Sequence, residues 1–429
     1  MAVQISAKGV DFESTIEKYR WKNNLEFIKP AFGKGCITDI PGIILKNFNI
    51  HSAENQEKSW DDYAEAPDHL IFLLIDGFGF STIKHSSVKY EMKYLENFIE
   101  DSSFRLITSV FPSTTSTATL SYHTNMHPVE HGVLGYNSYI PEIGTICNMI
   151  SMNPVGRKDI SILDNGYEIP RIRDHDTIHA TLGMNDVRSY LYLPNAIKNS
   201  GLTKLTGRGA SVSGYMTLSQ MFTLLKRDLS ESRGRSFHFC YISTLDAVSH
   251  KVGPYTSDAA MEIELIFMLL KEQLVDSPHL PRNTSLFISA DHGHMVMDKQ
   301  QIIEFNDGFK LRSHLLAPVV GEPRAPMIWT RKEGEDALMS YFHENYHDSL
   351  IPVQIDDLIK QGFFGNAKNR IDCRDSLGDV ALLMKNSASV FDSSLKILDP
   401  HNDADSLVGV HGGLSSEEMI VPFITRKIA

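Results

Sequence analysis

The sequence predicts an α/β fold in which a wound, mostly parallel β-sheet is covered by helices. Three short apolar runs have the length of buried strands, and each ends abruptly in polar residues: Leu70–Ile75, Phe237–Ile242 and Ser285–Ala290. Helical spacing occurs between such runs, as in Ser257–Val275, where apolar residues recur every three or four positions. Alternating strands and helices are typical of wound sheets, which bind ligands beyond the carboxyl ends of their strands.

Carboxylates follow all three predicted strands. Asp76 comes directly after the first, Asp246 shortly after the second and Asp291 directly after the third. Because parallel strands end at the same edge of a sheet, we expect these side chains to converge on one crevice.

The composition and charge exclude some classes of protein. The chain has 429 residues and a formal net charge of −12. We expect no nucleic-acid polymer as partner, because binding one requires clustered Lys and Arg. A small anionic substrate remains compatible with this charge, since a few cations or bound metal ions can dominate a local field.

The sequence also bears on location and redox state. The segment up to Asn23 has no continuous apolar stretch, and no later segment approaches the ~20 apolar residues of a transmembrane helix. We therefore expect a cytoplasmic protein without a membrane partner. The widely spaced cysteines are expected to be reduced core residues: Cys36, Cys147, Cys240 and Cys373.

Three regions are predicted along the chain. Residues 1–66 precede the first core strand and are expected to form an extension packed on the core. Residues 67–429 are expected to form the main domain. Within it, residues from about 138 to 234 show few strand signals and many turn formers, which favours an inserted cap.

A run rich in hydroxyl groups, Phe111–Leu120, opens a helix predicted from Ala118 onward. Ser and Thr commonly cap helices, so any one of these hydroxyls could be a cap. The start of a helix also directs backbone N–H groups and a positive dipole outward, which suits a phosphate. The run alone leaves both interpretations open.

Several Asp and His residues favour a metal centre when taken together. Asp246 and His250, four positions apart, can present oxygen and nitrogen ligands on one side of a turn, although an Asp capping a turn beside an unrelated His would look the same. The run from Asp291 to His294 follows a buried strand, where unpaired charge is costly unless a metal or partner neutralises it. His411 lies in a glycine turn, where a single His is more often structural than a ligand.

These residues together resemble the type I phosphodiesterase/nucleotide pyrophosphatase family of the alkaline phosphatase superfamily. The matching pieces occur in the family's order, from about residue 70 to the end: Leu74–Gly77, Phe111–Thr115, His131–Val133, Asp246–Pro254, Ala290–Gly293 and His411–Gly412. The resemblance implies an alkaline-phosphatase-like three-layer α/β/α sandwich with a central, mostly parallel sheet and an inserted cap. The sequence resembles bacterial members of the family more closely, since they share features such as Gly321–Arg324 and His411–Leu414.

The resemblance also implies two divalent metal ions, typically Zn²⁺ in this family, and the donor types are compatible with Mn²⁺ as well. The implied ligands form two sets: Asp246, His250 and His411 in one, and Asp76, Asp291, His292 and the Thr115 hydroxyl in the other. Thr115 stands third after Pro112, the position of the family's nucleophile, and would form a covalent intermediate.

Other residues depart from the family pattern or have two interpretations. In classical nucleotide pyrophosphatases an Asn after the His-Gly motif contacts a phosphate oxygen. The same register gives Tyr136 here, with Asn137 next to it, and either could supply a substrate contact. Arg324 is expected to be a salt-bridged structural arginine, with an anion contact as the alternative.

The resemblance implies a two-metal hydrolase of a phosphodiester or pyrophosphate bond in a small phosphorylated molecule such as a nucleotide. An alternative on the same scaffold is a metal-dependent phosphomonoesterase or phosphonate hydrolase. A non-enzymatic alternative is a degenerate member that binds a nucleotide or metal as a sensor.

Overall fold

A computed structural model describes residues 12–50, 66–167, 169, 175–278, 280–366, 374–400 and 404–428. The strands in these ranges are β1 Arg20–Trp21, β2 Asn24–Ile28, β3 His69–Ile75, β4 Ser103–Thr108, β5 Asn137–Ile140, β6 Thr145–Asn148, β7 Asn153–Pro154, β8 Arg188–Pro194, β9 Ser211–Tyr215, β10 Ser236–Ile242, β11 Thr284–Ser289, β12 Met295–Val296, β13 Ile302–Phe305, β14 Val320–Glu322, β15 Ala325–Ile328, β16 Leu350–Gln354, β17 Val380–Met384, β18 Ser389–Asp392, β19 Gly409–Val410 and β20 Ile420–Lys427.

The α-helices are α1 Phe12–Tyr19, α2 Ile40–Asn47, α3 Phe80–Lys89, α4 Lys93–Glu100, α5 Thr115–Thr124, α6 Pro128–His131, α7 Ile178–Met184, α8 Gly201–Thr206, α9 Leu218–Glu231, α10 Thr244–Val252, α11 Ser257–Leu270, α12 Gly334–Tyr346, α13 Ile355–Lys360, α14 Ser394–Leu398 and α15 Ser416–Met419. A π-helical turn follows α11 at Lys271–Val275. Short 3₁₀ helices lie at Ile37–Asp39, Lys299–Gln301, Arg312–His314, Arg374–Leu377 and Ala404–Ser406.

The central sheet has the strand order β4-β20-β11-β3-β10-β8-β9. Its neighbouring strands pair in parallel except β20, which is antiparallel to both β4 and β11. Helices α3, α4, α9 and α10 contact α11, while α2, α5, α7 and α8 form a second group. Every residue of β3 is buried, as expected for a parallel sheet with both faces covered. The predicted mostly parallel sheet is confirmed.

The three predicted strands are β3, β10 and β11, with bounds shifted by no more than one residue. They are neighbours in the sheet, and the register pairs Ile75 with Ile242 and Leu74 with Ser289. Their carboxyl ends therefore lie side by side, and the residues that follow them share one edge.

Helix α5 begins at Thr115, three residues before the predicted start at Ala118. Thr114 has an extended backbone, and its carbonyl accepts the Ala118 N–H at 2.9 Å, which closes the first helical turn. The hydroxyl-rich segment thus belongs to the first turn of the helix, with Thr115 as its first residue.

A second sheet is antiparallel and has the order β16-β17-β15-β14-β5-β6-β7. It combines strands from the predicted cap with strands between residues 320 and 384. Strands β8 and β9 lie inside the span of about 138–234 predicted as an inserted cap, and they belong to the central sheet. The β-prone run Tyr190–Leu193 was the missed signal. The domain boundaries themselves stay predictions.

The described part of the N-terminal extension packs on the main core. Ile16, Phe27 and Phe48 belong to the same hydrophobic cluster as β3, and the Ile28 N–H donates to the Leu414 carbonyl at 2.7 Å. Residues 1–11 and 51–65 of the extension lie outside the described residues.

Cys36, Cys147 and Cys240 are free, buried thiols as predicted, whereas Cys373 lies outside the described residues. Among the helices of the described ranges, none combines the length and apolar character needed to cross a bilayer.

Candidate metal centre and active site

The ends of β3, β10 and β11 bring the predicted carboxylates together. Asp76 follows β3, Asp291 follows β11, and β10 leads into α10, where Asp246 and His250 lie one turn apart. The described residues form two groups in which the possible ligand atoms lie within 4.8 Å of one another. The first group is Asp246, His250, His294 and His411, and the second group is Asp76, Asp291 and His292. The rings of His292 and His411 stack at 3.7 Å, so the two groups adjoin.

The second group has the spacing expected around a divalent cation. His292 Nε2 lies 3.4 Å from Asp76 Oδ1 and 3.5 Å from Asp291 Oδ2. Thr115 Oγ1 lies 3.3 Å from His292 Nε2 and 3.5 Å from each Asp76 carboxylate oxygen. Ligands bound tetrahedrally at ~2.0–2.2 Å are separated by roughly 3.3–3.6 Å. Asp291 Oδ2 is buried and has no hydrogen-bond partner among the described residues, so this group fits a cation there.

The first group is arranged around one carboxylate oxygen. Asp246 Oδ1 lies 3.2 Å from His250 Nε2 and 3.0 Å from His294 Nε2. His411 completes the group, with its ring centroid 5.1 Å from that of His250. Mixed imidazole and carboxylate donors suit Zn²⁺ and are compatible with Mn²⁺.

Backbone carbonyls orient three of the four histidines. The Nδ1–H of His250 donates to the Gly409 carbonyl at 2.7 Å, that of His411 to the Ser113 carbonyl at 3.1 Å, and that of His292 to the Gly293 carbonyl at 3.1 Å. A carbonyl oxygen can only accept, so these contacts put the proton on Nδ1 and leave the Nε2 lone pair available to a metal.

The carboxylates of the centre are buried together. Burial, followed by repulsion from Asp246 and Asp291, raises the pKa of Asp76 well above its usual value. Among the described residues, the ion pairs of these three carboxylates are with histidine and not with Lys or Arg. Two divalent cations would offset this negative charge, which is the balance that a buried carboxylate cluster requires.

Two further effects act on these carboxylates. Burial raises the pKa of Asp246, but His250 and His294 outweigh burial and hold that pKa well below its usual value. The Tyr241 hydroxyl donates to Asp76 Oδ2, a contact that the sequence did not predict.

Of the five hydroxyl groups at residues 113–117, the Thr115 hydroxyl is the one that contacts the candidate ligands. The others bond elsewhere: Ser113 to the Gly413 carbonyl, Thr114 to Glu322, Ser116 to the Gly135 carbonyl and Thr117 to the Gly135 N–H. Thr114 occupies the N-cap position, yet its side chain makes no capping bond. The capping alternative therefore does not describe Thr114 or Thr115.

Glu322 connects the hydroxyl-rich segment at residues 113–117 to the predicted substrate contacts, and no role was predicted for it. Its Oε1 accepts the Thr114 hydroxyl and the Tyr136 N–H, each at 2.6 Å. Burial raises the pKa of Glu322 to about 7. Asn137 pairs with Gly321 in the second sheet. Tyr136 and Asn137 thus lie beside the hydroxyl-rich segment, while their contact with substrate stays a prediction.

Arg324 is a structural arginine, as predicted, and not an anion contact. Its guanidinium is fully buried and donates to both carboxylate oxygens of Glu418, at 3.1 and 3.2 Å. It also donates to the carbonyls of Asn386 and Ala388, at 2.7 and 2.6 Å. Glu418 in turn accepts the Gly413 N–H, so this pair supports the loop that carries His411.

His294 is the member of the first group that the sequence left without a role. The run Asp291–His294 pointed to a metal, but the predicted ligands in it were Asp291 and His292. Spacing alone could not assign His294, because its contact with Asp246 joins residues 48 positions apart.

Solved structures of other proteins share this fold. Murine ectonucleotide pyrophosphatase/phosphodiesterase 5 is 14% identical, with a TM-score of 0.60 over 83% of this chain and 87% of that chain. An inactive variant of it in complex with AMP is 13% identical, with a TM-score of 0.62 and the same coverage. Phosphonoacetate hydrolase from Sinorhizobium meliloti 1021 in complex with phosphonoformate is 17% identical, with a TM-score of 0.61 over 84% of this chain and 90% of that chain. These similarities confirm the alkaline-phosphatase-like α/β fold.

The family model that matches this sequence, together with the two groups of candidate ligands, defines the class of protein as a metal-dependent hydrolase of phosphoric esters. The sequence model of one family, type I phosphodiesterase/nucleotide pyrophosphatase, matches residues 70–348. The chain belongs to this family. Among curated proteins, none matches the sequence.

Proposed function

We propose that this protein hydrolyses a phosphodiester or pyrophosphate bond in a small molecule such as a nucleotide, with Thr115 as nucleophile. The observation that carries the proposal is the position of the Thr115 hydroxyl, which contacts Asp76 and His292 at the first turn of α5. The hydroxyls of Ser113, Thr114, Ser116 and Thr117 are engaged elsewhere, so among residues 113–117 the Thr115 hydroxyl is the one available for attack.

The proposed reaction proceeds in two displacements. The Thr115 hydroxyl releases its proton to solvent, and its Oγ attacks phosphorus and forms a phosphoryl or nucleotidyl ester, while the bond to the leaving oxygen breaks and its electron pair departs with that oxygen, which takes up a proton from solvent. Water then attacks phosphorus, the bond to Thr115 Oγ breaks, one proton of the water restores the threonine hydroxyl and the other is released to solvent. Two divalent cations, with Zn²⁺ proposed and Mn²⁺ as the alternative, would stabilise the threonine alkoxide and the charge on the leaving oxygen.

The residues of the chain have separate roles in this proposal. Asp76, Asp291 and His292 would hold one cation beside Thr115, and Asp246, His250 and His411 would hold the other. Because α5 begins at Thr115, the free backbone N–H groups of its first turn would suit a phosphate oxygen bound at this residue. Tyr136 and Asn137 are the proposed further substrate contacts.

Small phosphorylated substrates are consistent with the ligands named for the similar structures. The murine protein was solved with AMP and the bacterial hydrolase with phosphonoformate. For this chain we propose a nucleotide-like diester, and neither a nucleic-acid polymer nor a membrane as partner. The cytoplasmic location stays a prediction.

Substrate preference tests the proposed reaction. The metal-loaded protein should hydrolyse the 4-nitrophenyl ester of a nucleoside monophosphate at a higher kcat/KM than 4-nitrophenyl phosphate. Much faster turnover of the monoester would overturn the diesterase proposal in favour of a phosphomonoesterase. Release of phosphate from phosphonoacetate, without diester hydrolysis, would favour a phosphonate hydrolase.

Substitution of Thr115 tests the nucleophile. Thr115→Ala should lower kcat by at least about a thousand-fold, because the attacking atom is removed, while two cations per chain are retained. The matched control is Thr119→Ala, which makes the same change in the same helix at a hydroxyl that has no hydrogen-bond partner within the described ranges. Unchanged turnover by Thr115→Ala would exclude Thr115 as nucleophile. Failure of the unsubstituted, metal-loaded protein to hydrolyse any of these esters would favour the sensor alternative.

A further inference from the structure

His294 differs from the other three histidines of the centre in its second ring nitrogen. His250, His292 and His411 each donate from Nδ1 to a backbone carbonyl. In contrast, the Nδ1 of His294 is buried and has no hydrogen-bond partner in the described structure. The ring is fully buried against Gly77, where a Cβ would lie 2.4 Å from His294 Cε1.

This difference favours one tautomer of His294. If Nε2 bound a cation, the proton would sit on Nδ1, leaving a buried N–H donor without an acceptor. If the proton sits on Nε2, it donates to Asp246 Oδ1 at 3.0 Å, and only a lone pair remains unpartnered. The tautomer with the proton on Nε2 is favoured, because it leaves no buried N–H donor unsatisfied, whereas metal-binding histidines almost always donate their other N–H to an acceptor.

The number of ligands leads to the same assignment. Asp246, His250 and His411 would supply three protein donors and leave a fourth tetrahedral position for a substrate oxygen or water. A fourth protein donor from His294 would give the closed coordination typical of structural zinc. A centre that acts on an ester requires the open position.

We propose that His294 is a positioning residue that donates its Nε2–H to Asp246 Oδ1 and does not bind the cation. It orients the Asp246 carboxylate for metal binding and leaves the coordination of the first group open. The inference rests on the two-metal centre of the proposed function, but it concerns the role of one residue that this function does not require.

Coordination of the metal-loaded protein gives the direct test. In a crystal structure of the Zn²⁺-loaded protein, with anomalous data at the zinc edge, the ligands His250 and His411 should lie ~2.0–2.1 Å from zinc through Nε2. The Nε2 of His294 should lie outside coordination distance of the metal, at more than about 3 Å. A zinc–Nε2 distance of ~2.1 Å for His294 would overturn the proposal.

Two substitutions at His294 separate the hydrogen bond from the shape of the ring. His294→Gln keeps an N–H donor, and His294→Phe keeps a planar ring without one. We expect His294→Phe to weaken binding of one cation by about 10–100-fold in competition with a chelator, as for loss of a partner that orients a ligand. His294→Gln should recover most of that loss. Unchanged affinity in His294→Phe would overturn the proposal.

The matched comparison is His250→Gln, which removes a proposed ligand from the same group. With Co²⁺ in place of the native metal, His250→Gln should change the visible absorption spectrum, whereas His294→Gln should leave it unchanged. A change in His294→Gln like that in His250→Gln would identify His294 as a ligand. If His294→Phe fails to fold, the zinc-edge distances and the His294→Gln spectrum still decide.

These measurements also distinguish failure of the inference from failure of the proposed function. Two cations per chain with His294 at bonding distance would overturn the inference and retain the two-metal centre. Fewer than two cations in the unsubstituted protein would overturn both.

Discussion

Replacing Arg324 with methionine should destabilise the protein by about 3–5 kcal/mol, the cost of breaking a buried ion pair by removing one partner. The side chains of Arg324 and Glu418 are both fully buried, and the guanidinium reaches both carboxylate oxygens. Methionine can occupy much of the volume but donates no hydrogen bond. The Glu418 carboxylate would then keep the backbone N–H donors of Gly413 and Ser415, without a countercharge.

Urea unfolding of the metal-loaded protein measures this loss. The control is Arg157→Met, at an exposed arginine paired with Asp159, which should leave the free energy of unfolding unchanged within error. In the double variant Arg324→Met/Glu418→Gln, both charges are gone, so part of the loss from Arg324→Met should be recovered.

A loss below about 1 kcal/mol for Arg324→Met would refute the reasoning, because leaving the Glu418 carboxylate buried without its partner should cost about 3–5 kcal/mol. Intact stability together with a large rise in KM for a phosphate ester would show that Arg324 contacts substrate, the alternative that the structure disfavours.

Three further predictions concern Glu322, pH and metal. Glu322→Ala should lower kcat at least about tenfold, because it removes the oxygen that accepts the Thr114 hydroxyl. Glu322→Gln keeps a side-chain carbonyl that can accept this hydroxyl and should retain more activity. Equal losses of kcat for the two variants in steady-state kinetics would show that this hydrogen bond is irrelevant to turnover. Burial lowers the pKa of His131, His179 and His238 to about 3, so the unfolded chain binds more protons below pH ~6.5. The free energy of unfolding should therefore decrease as pH falls from ~6.5 towards ~3, by up to about 1.4 kcal/mol per pH unit per histidine. In urea unfolding measured at several pH values, His131→Gln should show a smaller change in the free energy of unfolding per pH unit than the unsubstituted protein. Removing metal with a chelator should lower Tm and added Zn²⁺ should restore it; a Tm that does not respond would contradict the proposed metal centre.

Local patterns were sufficient for the strands that carry the site. The apolar runs of β3, β10 and β11 were predicted to within a residue, because a buried parallel strand must be apolar on both faces. Asp76 and Asp291 followed from the abrupt change to carboxylates at two of these strand ends. Strands β8 and β9 were missed, because their weaker apolar character did not distinguish them from the turn-rich residues around them.

By itself, then, the sequence determined the α/β class, the convergence of the carboxylates and the set of hydroxyls that includes Thr115. Only the tertiary structure decided where the other hydroxyls of residues 113–117 bond, that Arg324 pairs with Glu418, and that His294 joins Asp246. The physical reason is distance along the chain: Thr114 and Glu322 are 208 positions apart, and Arg324 and Glu418 are 94 apart. Spacing in the sequence indicates which side chains share a helix or strand, whereas the direction of a hydrogen bond between remote segments is set by how the folded sheets and loops pack.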